Sequence, residues 1–350
     1  MDSFEMFART DRVAEGWYWA MPSRELKKGQ VKPLNLMGKE LAVYRGEDGK
    51  VVALDAYCPH MGAHLAEGKV EGCEVRCFFH NWKFDASGQC TEVPAMPKPP
   101  RVKNESWPVQ EKYGLIWVYT AKEVRQPVPY ELELGEGEVD ASLGNTFVKN
   151  CHPNVVLINA IDIQHFHTVH HIPNVFQFET SQPHPNAIHF SNLAKAPPTS
   201  WVYRLINRFY KQAITYVLTY WNGSTGTVRV GPDFLHFYIM FALRQGPGGT
   251  TQGQTVLLTQ KRKGILWRLM TPVLLWATQQ VGNYFAAGDT KVFQTIKFAL
   301  KTPVKADHAI VEFARAVERL TPVEWGVGTL PGSPPAESAP LRLVQGGGTP

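Results

Sequence analysis

The sequence predicts an α+β protein of two domains: a small all-β module, then a larger domain whose antiparallel sheet is flanked by helices. Three observations predict it. Short apolar runs broken by Gly and charged turns fill residues 17–118. Longer apolar and aromatic strands follow between 215 and 259, and helical periodicity takes over after 265. At 350 residues the chain is long enough for two cores.

The first domain is read as residues 1–120. Its strands are Glu40 to Tyr44, Val51 to Leu54, Glu74 to Phe78 and Leu115 to Tyr119. Gly46-Glu47-Asp48-Gly49 between the first two is a hairpin signal. Pro94 to Pro108 reads as irregular chain crossing the module. The second domain is read as residues 121–330. Asn150 to His171 is a helical candidate, and Thr215 to Tyr220, Gly226 to Val230, Phe234 to Leu243 and Thr255 to Thr259 are strands. Leu266 to Phe285, Thr290 to Lys297 and Asp307 to Leu320 read as helices; the last spaces Ile310, Phe313, Ala314 and Val317 along one face. Residues 331–350 are rich in Pro, Gly and Ser, lack aromatics and are expected to be a disordered tail. No internal repeat is visible.

Composition narrows the class. Hydrophobic residues make up 44% and charged residues 19%, as in an ordinary globular protein. The net charge is +5 and the Lys and Arg are scattered, which argues against nucleic acid as partner. Five cysteines show no disulfide-framework spacing, so Cys73, Cys90 and Cys151 are expected as free thiols in a reducing compartment, the cytoplasm. The first thirteen residues carry Asp2, Glu5 and Asp11 and no apolar run, so no signal peptide is expected. Ile265 to Val281 is the longest apolar stretch. Arg268 interrupts it and Gln279-Gln280 near its end make it too short and polar to span a bilayer. A helix covering the core or contacting another subunit is favoured. A membrane-surface helix, supported by Lys261-Arg262-Lys263 just before it, is the less expected alternative.

The chemistry starts with spacing. Cys58-Pro59-His60 is followed, sixteen residues on, by Cys77-Phe78-Phe79-His80. Two thiolates on one iron and two imidazoles on the other are what a Rieske [2Fe–2S] centre needs. Structural zinc also takes Cys₂His₂, but zinc fingers group the two Cys and the two His, whereas here each loop carries one of each.

A second constellation runs from Asn159 to His171, with His165, His167, His170 and His171 beside Asp162. Two His and one carboxylate on a face of an iron leave positions for O₂ and substrate. On an ideal helix His165 and His170 lie about 140° apart and converge only if the helix bends or ends between them. His167 and His171, at i and i+4, share a face without distortion. Residue spacing alone leaves both pairs open. For a distant carboxylate, Asp289 and Asp307 both qualify, and either serves equally well as a helix cap.

The flanks carry a resemblance. Asp55-Ala56-Tyr57-Cys58-Pro59-His60-Met61-Gly62-Ala63 and Cys77-Phe78-Phe79-His80-Asn81-Trp82-Lys83-Phe84-Asp85 resemble the cluster loops of Rieske non-haem iron oxygenases. Respiratory Rieske proteins carry an extra disulfide at the places of Ala63 and Phe79, neither of which is Cys. Met61, Phe78 and Asn81 depart from the oxygenase pattern, where Arg, Pro and Gly are common; Asn tolerates the left-handed backbone a loop Gly would adopt. Asp162, His165 and His170 match the D-x-x-H-x-x-x-x-H motif of the same family. The resemblance thus implies Cys58, His60, Cys77 and His80 as cluster ligands and His165 and His170 as mononuclear iron ligands. It also implies that Asp162 bridges one subunit's cluster His to the next subunit's iron His. Gly288-Asp289-Thr290-Lys291-Val292-Phe293-Gln294 resembles the segment where an acidic ligand opens a helix, which implies Asp289 as third ligand and Asp307 as cap.

The chain shape and the helical C-terminal third resemble the branch holding 3-ketosteroid 9α-hydroxylase and cholesterol 7-desaturase. The resemblance implies a homotrimeric terminal oxygenase with a [2Fe–2S] cluster, Fe(II) and O₂ as co-substrate. It would hydroxylate or desaturate a large apolar, steroid-like or polycyclic small molecule. The chain has no G-x-G-x-x-G, so NAD(P)H would act only through a separate ferredoxin and/or flavin reductase. N-oxygenation, demethylation or oxidative cyclisation are alternative outcomes. A Rieske-type electron carrier is the rival class, disfavoured by the long second domain. No pocket residue is fixed by sequence; Trp201, Tyr203, Phe237, Tyr238, Met240 and Phe241 are candidates.

Overall fold

The computed structural model describes residues 7–170, 177–195, 213–232 and 234–326. His171, Trp201, Tyr203 and the expected tail lie outside the described residues. The fold is α+β, dominated by antiparallel sheets with few helices, as expected. The chain forms two compact units, and neither is contiguous. One comprises Asp11–Arg125 with Val323–Pro350, the other Met1–Thr10 with Gln126–Pro322.

The first unit is all β. Four strands are ordered Ser106–Trp107, Val51–Asp55, Lys39–Arg45, Val31–Leu36, and three are ordered Val109–Lys112, Leu115–Tyr119, Trp17–Pro22. Trp17–Pro22 and Leu115–Tyr119 are buried throughout, which explains their unbroken apolar sequences. The expected hairpin closes through Gly46 and Gly49 with N–H···O bonds of 3.0 Å on either side, and Gly49 takes φ 86°. Trp325 belongs here, although sequence reading put it in the second domain. Its ring is 2% exposed beside Trp107 and its indole N–H donates to the Leu36 carbonyl at 2.7 Å. Truncating such a ring to Ala costs about 3–5 kcal/mol. A third sheet, Lys69–Glu71, Glu74–Arg76, Lys83–Phe84 and Cys90–Glu92, carries the second Cys/His loop between its middle strands.

The second unit is built on a seven-stranded antiparallel sheet. Its order is Val139–Lys149, Thr251–Gln260, Phe237–Gln245, Thr225–Pro232, Ala213–Trp221, Ala187–Lys195, Glu179–His184. Val139–Lys149 and the Glu179–Lys195 hairpin were not expected from sequence: their alternation is weak and their exposed faces are polar. Among the described residues the unit also has four helices: α1 (Pro153–Ile158), α2 (Ile163–Thr168), α3 (Ile265–Thr295) and α4 (His308–Glu318). The expected helix over Asn150 to His171 is two, because Ala160 and Ile161 bond back three residues and Asp162 turns extended. The two helices expected over Leu266 to Lys297 are instead one of 31 residues. α4 buries Ile310, Phe313, Ala314 and Val317 against Phe190 and Tyr220, as its periodicity predicted.

Candidate metal centres

In the first unit, Cys58 and Cys77 are buried while His60 and His80 are exposed beside them. The two loops close alike. The Cys58 N–H donates to the Ala63 carbonyl and the Gly62 N–H to the Cys58 carbonyl, at 2.8 and 2.9 Å. The Cys77 N–H donates to the Trp82 carbonyl and the Asn81 N–H to the Cys77 carbonyl, at 2.8 and 3.1 Å. The imidazoles of His60 and His80 are brought to 4.7 Å between ring centroids, and Trp82 stacks on His60 at 4.4 Å. Burial pushes the Cys58 thiol up to about 12, with Cys77 adding to it and the His60 N–H acting against it. A buried sulfur that resists ionising by itself, as Cys58 does, needs a cation to become a thiolate. A cluster with its cysteine iron inside and its histidine iron at the surface fits this donor set.

The second site lies in the other unit. Asp162 caps α2, its Oδ1 accepting from the backbone N–H groups of Gln164 and His165 at 3.0 and 3.1 Å. His165 stands one turn into α2, its Nδ1 facing the Asp162 carbonyl oxygen at 3.3 Å. That contact favours hydrogen on Nδ1 and leaves the Nε2 lone pair for a metal. α2 ends at Thr168, so His170 falls in the turn beyond it. The break answers the angular problem posed by the sequence: the chain leaves the helix between the two His. Asp289 reaches them from α3. Its Oδ1 lies 2.9 Å from His165 Nε2 and 3.0 Å from His170 Nε2, and all three side chains are nearly buried.

Donors about 2.1 Å from one metal in neighbouring octahedral positions are separated by roughly 3 Å, so these distances fit a two-His, one-carboxylate iron. Among the described residues this is the one group of three or more His, Cys, Asp or Glu whose donor atoms all converge closely enough for a single ion. Burial works against charge on both partners. The Asp289 carboxylate nonetheless raises His165, and the imidazoles lower Asp289. Asp289 does not open a helix, as the resemblance implied; it sits six residues before the end of α3. Asp307 is elsewhere, its carboxylate accepting from the Val304 N–H and Gln164 Nε2, both at 2.8 Å. His167 is exposed and outside the group.

An apolar cavity of about 480 Å³ adjoins the triad, within the range of small-molecule sites. Tyr216, Val228, Ile239, Phe241 and Phe293 line it. Of the pocket candidates, Phe241 lines it, whereas Tyr238 and Met240 fall on the other side of the pleat. Its polar lining includes a carboxamide cluster, in which Asn283 Oδ1 accepts from Gln279 Nε2 at 2.8 Å and Asn145 Nδ2 at 3.3 Å. Sequence reasoning missed these carboxamides, which look like ordinary helix and strand surface. It also gave Gly288 no role. A Cβ there would stand 2.8 Å from Val169 Cγ1 and 3.1 Å from His170 Cε1. The signal was present: Gly in a helix interior costs about 1 kcal/mol relative to Ala and invites a packing reason.

Residues 16–112 match the Rieske [2Fe–2S] domain family, so the chain carries a Rieske domain. The fold is similar to those of solved structures. Apo dicamba monooxygenase aligns with TM-score 0.62 at 19% identity over 88% of this chain and 97% of its own. NdmB of Pseudomonas putida CBB5 aligns with TM-score 0.64 at 16% identity over 86% and 89%. By sequence the chain is similar to the oxygenase component of 3-ketosteroid-9-alpha-monooxygenase from Rhodococcus rhodochrous, 30% identical over 50% of this chain and 49% of that one. It is also similar to cholesterol 7-desaturase of Bombyx mori, 38% identical over 44% and 35%. The chain thus spans about half the length, or less, of the curated relatives it matches.

Proposed function

We propose that this chain is the terminal oxygenase of a Rieske system and hydroxylates a large apolar, steroid-like molecule. The observation that carries the reading is the convergence of His165, His170 and Asp289 on the wall of an apolar cavity, in a chain that also holds the paired Cys/His loops. When bound, the cluster would supply single electrons and the iron, with three protein donors, a place for O₂ beside the substrate. The protein's own part is positional. Cys58, His60, Cys77 and His80 hold the cluster with its histidines outward. The Asp162 carbonyl fixes the His165 tautomer, and the cavity walls orient the substrate and exclude water.

Electrons come from NAD(P)H through a separate ferredoxin and/or flavin reductase, in the cytoplasm. In a homotrimer, Asp162 connects the iron His of its own chain to a cluster His of the neighbour, by analogy with the family. Steroids are the favoured substrate class because both named relatives act on them. Desaturation is the second reading, favoured by the Bombyx mori relative.

Turnover by the metal-loaded protein with a generic ferredoxin reductase and a panel of 3-ketosteroids and sterols tests the reading. A hydroxylated or desaturated product, with about three irons per chain, is expected. Full iron with no oxygen consumption above the substrate-free rate on any panel member would reject the steroid reading. About two irons per chain would mark an electron carrier.

A further inference from the structure

The favoured sequence expectation had the first half of α3 cover the core or contact another subunit; within the chain, much of it is left uncovered. Ile265, Leu266, Leu269, Met270, Val273 and Trp276 are between 38% and 82% exposed. At 100° per residue they share an arc of about 140° on one side of the helix. Isolated exposed apolar residues are ordinary, but six on one face are a surface made for contact.

We propose that this face docks the protein on an anionic lipid surface, with α3 lying in the membrane interface. Charge favours that occupant. Residues 261–288 contain Lys261, Arg262, Lys263 and Arg268 and no carboxylate. Lys261 is paired with Glu138 at 2.7 Å, and the Arg262 guanidinium lies 4.1 Å over the Trp267 ring, which leaves a net positive collar at the start of the stripe. Apolar stripe, interfacial Trp and basic collar are the composition of a helix that lies in a bilayer surface. No helix among the described residues is long and apolar enough to cross a membrane, so α3 lies on the surface and does not span it.

The docked helix also leads to the cavity. Gln279, Gly282, Asn283, Ala286 and Asp289 of the same helix line it, on an arc bordering the exposed stripe. A lipid-dissolved substrate therefore reaches the site along the helix that carries Asp289. This last point rests on the proposed oxygenase reading; the docking does not.

The test is flotation of the full, metal-loaded chain with vesicles of phosphatidylcholine alone and of equimolar phosphatidylcholine and phosphatidylserine, with light scattering in parallel. The wild type is expected to float with the anionic vesicles and to be released by salt. Leu269→Glu with Trp276→Glu should lower the bound fraction about tenfold with unchanged mass and melting temperature. Lys263→Glu with Arg268→Glu should weaken binding to anionic vesicles and spare the weak binding to neutral ones; if the first variant does not fold, this one decides. A wild type that stays with the unbound protein, or variants that float as it does, overturns the proposal. Variants that dissociate an oligomer while the wild type ignores vesicles assign the face to a second copy, and also overturn it. Failure here leaves the iron site untouched, since turnover on dissolved substrate reads that site independently.

Discussion

Asn81 stands to Cys77 as Gly62 stands to Cys58: each is the fourth residue after the cysteine, donates its N–H to the cysteine carbonyl and takes a left-handed backbone, φ 59° and 76°. The two Cys/His loops are therefore one loop used twice, and Asn81 holds the left-handed backbone that Gly62 holds at the matching place.

That equivalence makes a prediction. Asn81→Gly should leave the reduced-cluster EPR signal and the melting temperature of the first unit unchanged. Asn81→Val, which strongly resists φ above zero, should cost about 1–2 kcal/mol and lower cluster occupancy. Equal occupancy in both variants would mean that the loop conformation does not depend on this residue.

Gly288 should matter to the iron and not to the cluster. Its α-hydrogen faces Val169 and His170, so Gly288→Ala must displace the turn that carries His170. Helix propensity alone would make the change stabilising by about 1 kcal/mol. We expect the opposite for metal: iron falling from about three to about two per chain, with the Rieske EPR signal intact. Full iron in the Ala variant would show that the close approach is not required.

Asp289 and Asp307 separate cleanly. Asp289→Asn should remove the mononuclear iron and turnover together, because a neutral amide in place of a carboxylate weakens the donor set. Asp307→Ala removes the bonds from Val304 and Gln164 ahead of α4 and should cost about 1 kcal/mol of stability while iron stays bound. Iron loss in the Asp307 variant alone would reverse the assignment.

Asp162→Asn tests electron transfer without disturbing the fold. Asn caps a helix as well as Asp, so α2 should persist and melting should be unchanged. Stopped-flow reduction of the cluster should remain fast while single-turnover product formation drops by at least about tenfold. Normal product formation would confine Asp162 to capping.

Glu131 predicts a pH dependence away from both metals. Burial raises its carboxyl, while Thr227 and Arg229 act against that. The folded state thus holds the proton more tightly than the unfolded chain. Stability from this group is full below the ordinary value of 4.5 and declines as pH rises through the raised value. Glu131→Gln should flatten that decline, with about 2–4 °C of melting temperature for each kcal/mol in a unit of this size. Identical slopes for the two proteins between acidic and neutral pH would refute it.

Much of this protein is local, and what is local was legible. The Cys58/His60 and Cys77/His80 loops each close within six residues, and the backbone bonds that shape them join near neighbours in the chain. The hairpin at Gly46–Gly49 and the apolar face of α4 are equally short-range. The iron triad was legible only in part. Two of its members stand five residues apart, but whether they converge depends on where α2 ends. α2 begins at the Asp162 cap and stops at Thr168, where the Val169 N–H bonds back to the His165 carbonyl, and nothing local in the sequence marks that stop.

Only the tertiary structure decided the rest. Asp289 meets His165 across 124 residues because α3 packs at its Gly288 face, where the missing side chain admits the His170 turn. The exposed half of α3 is likewise a tertiary fact. Periodicity can say that a helix has an apolar stripe, but only packing says whether anything in the same chain covers it, because burial depends on neighbours that sequence distance does not fix.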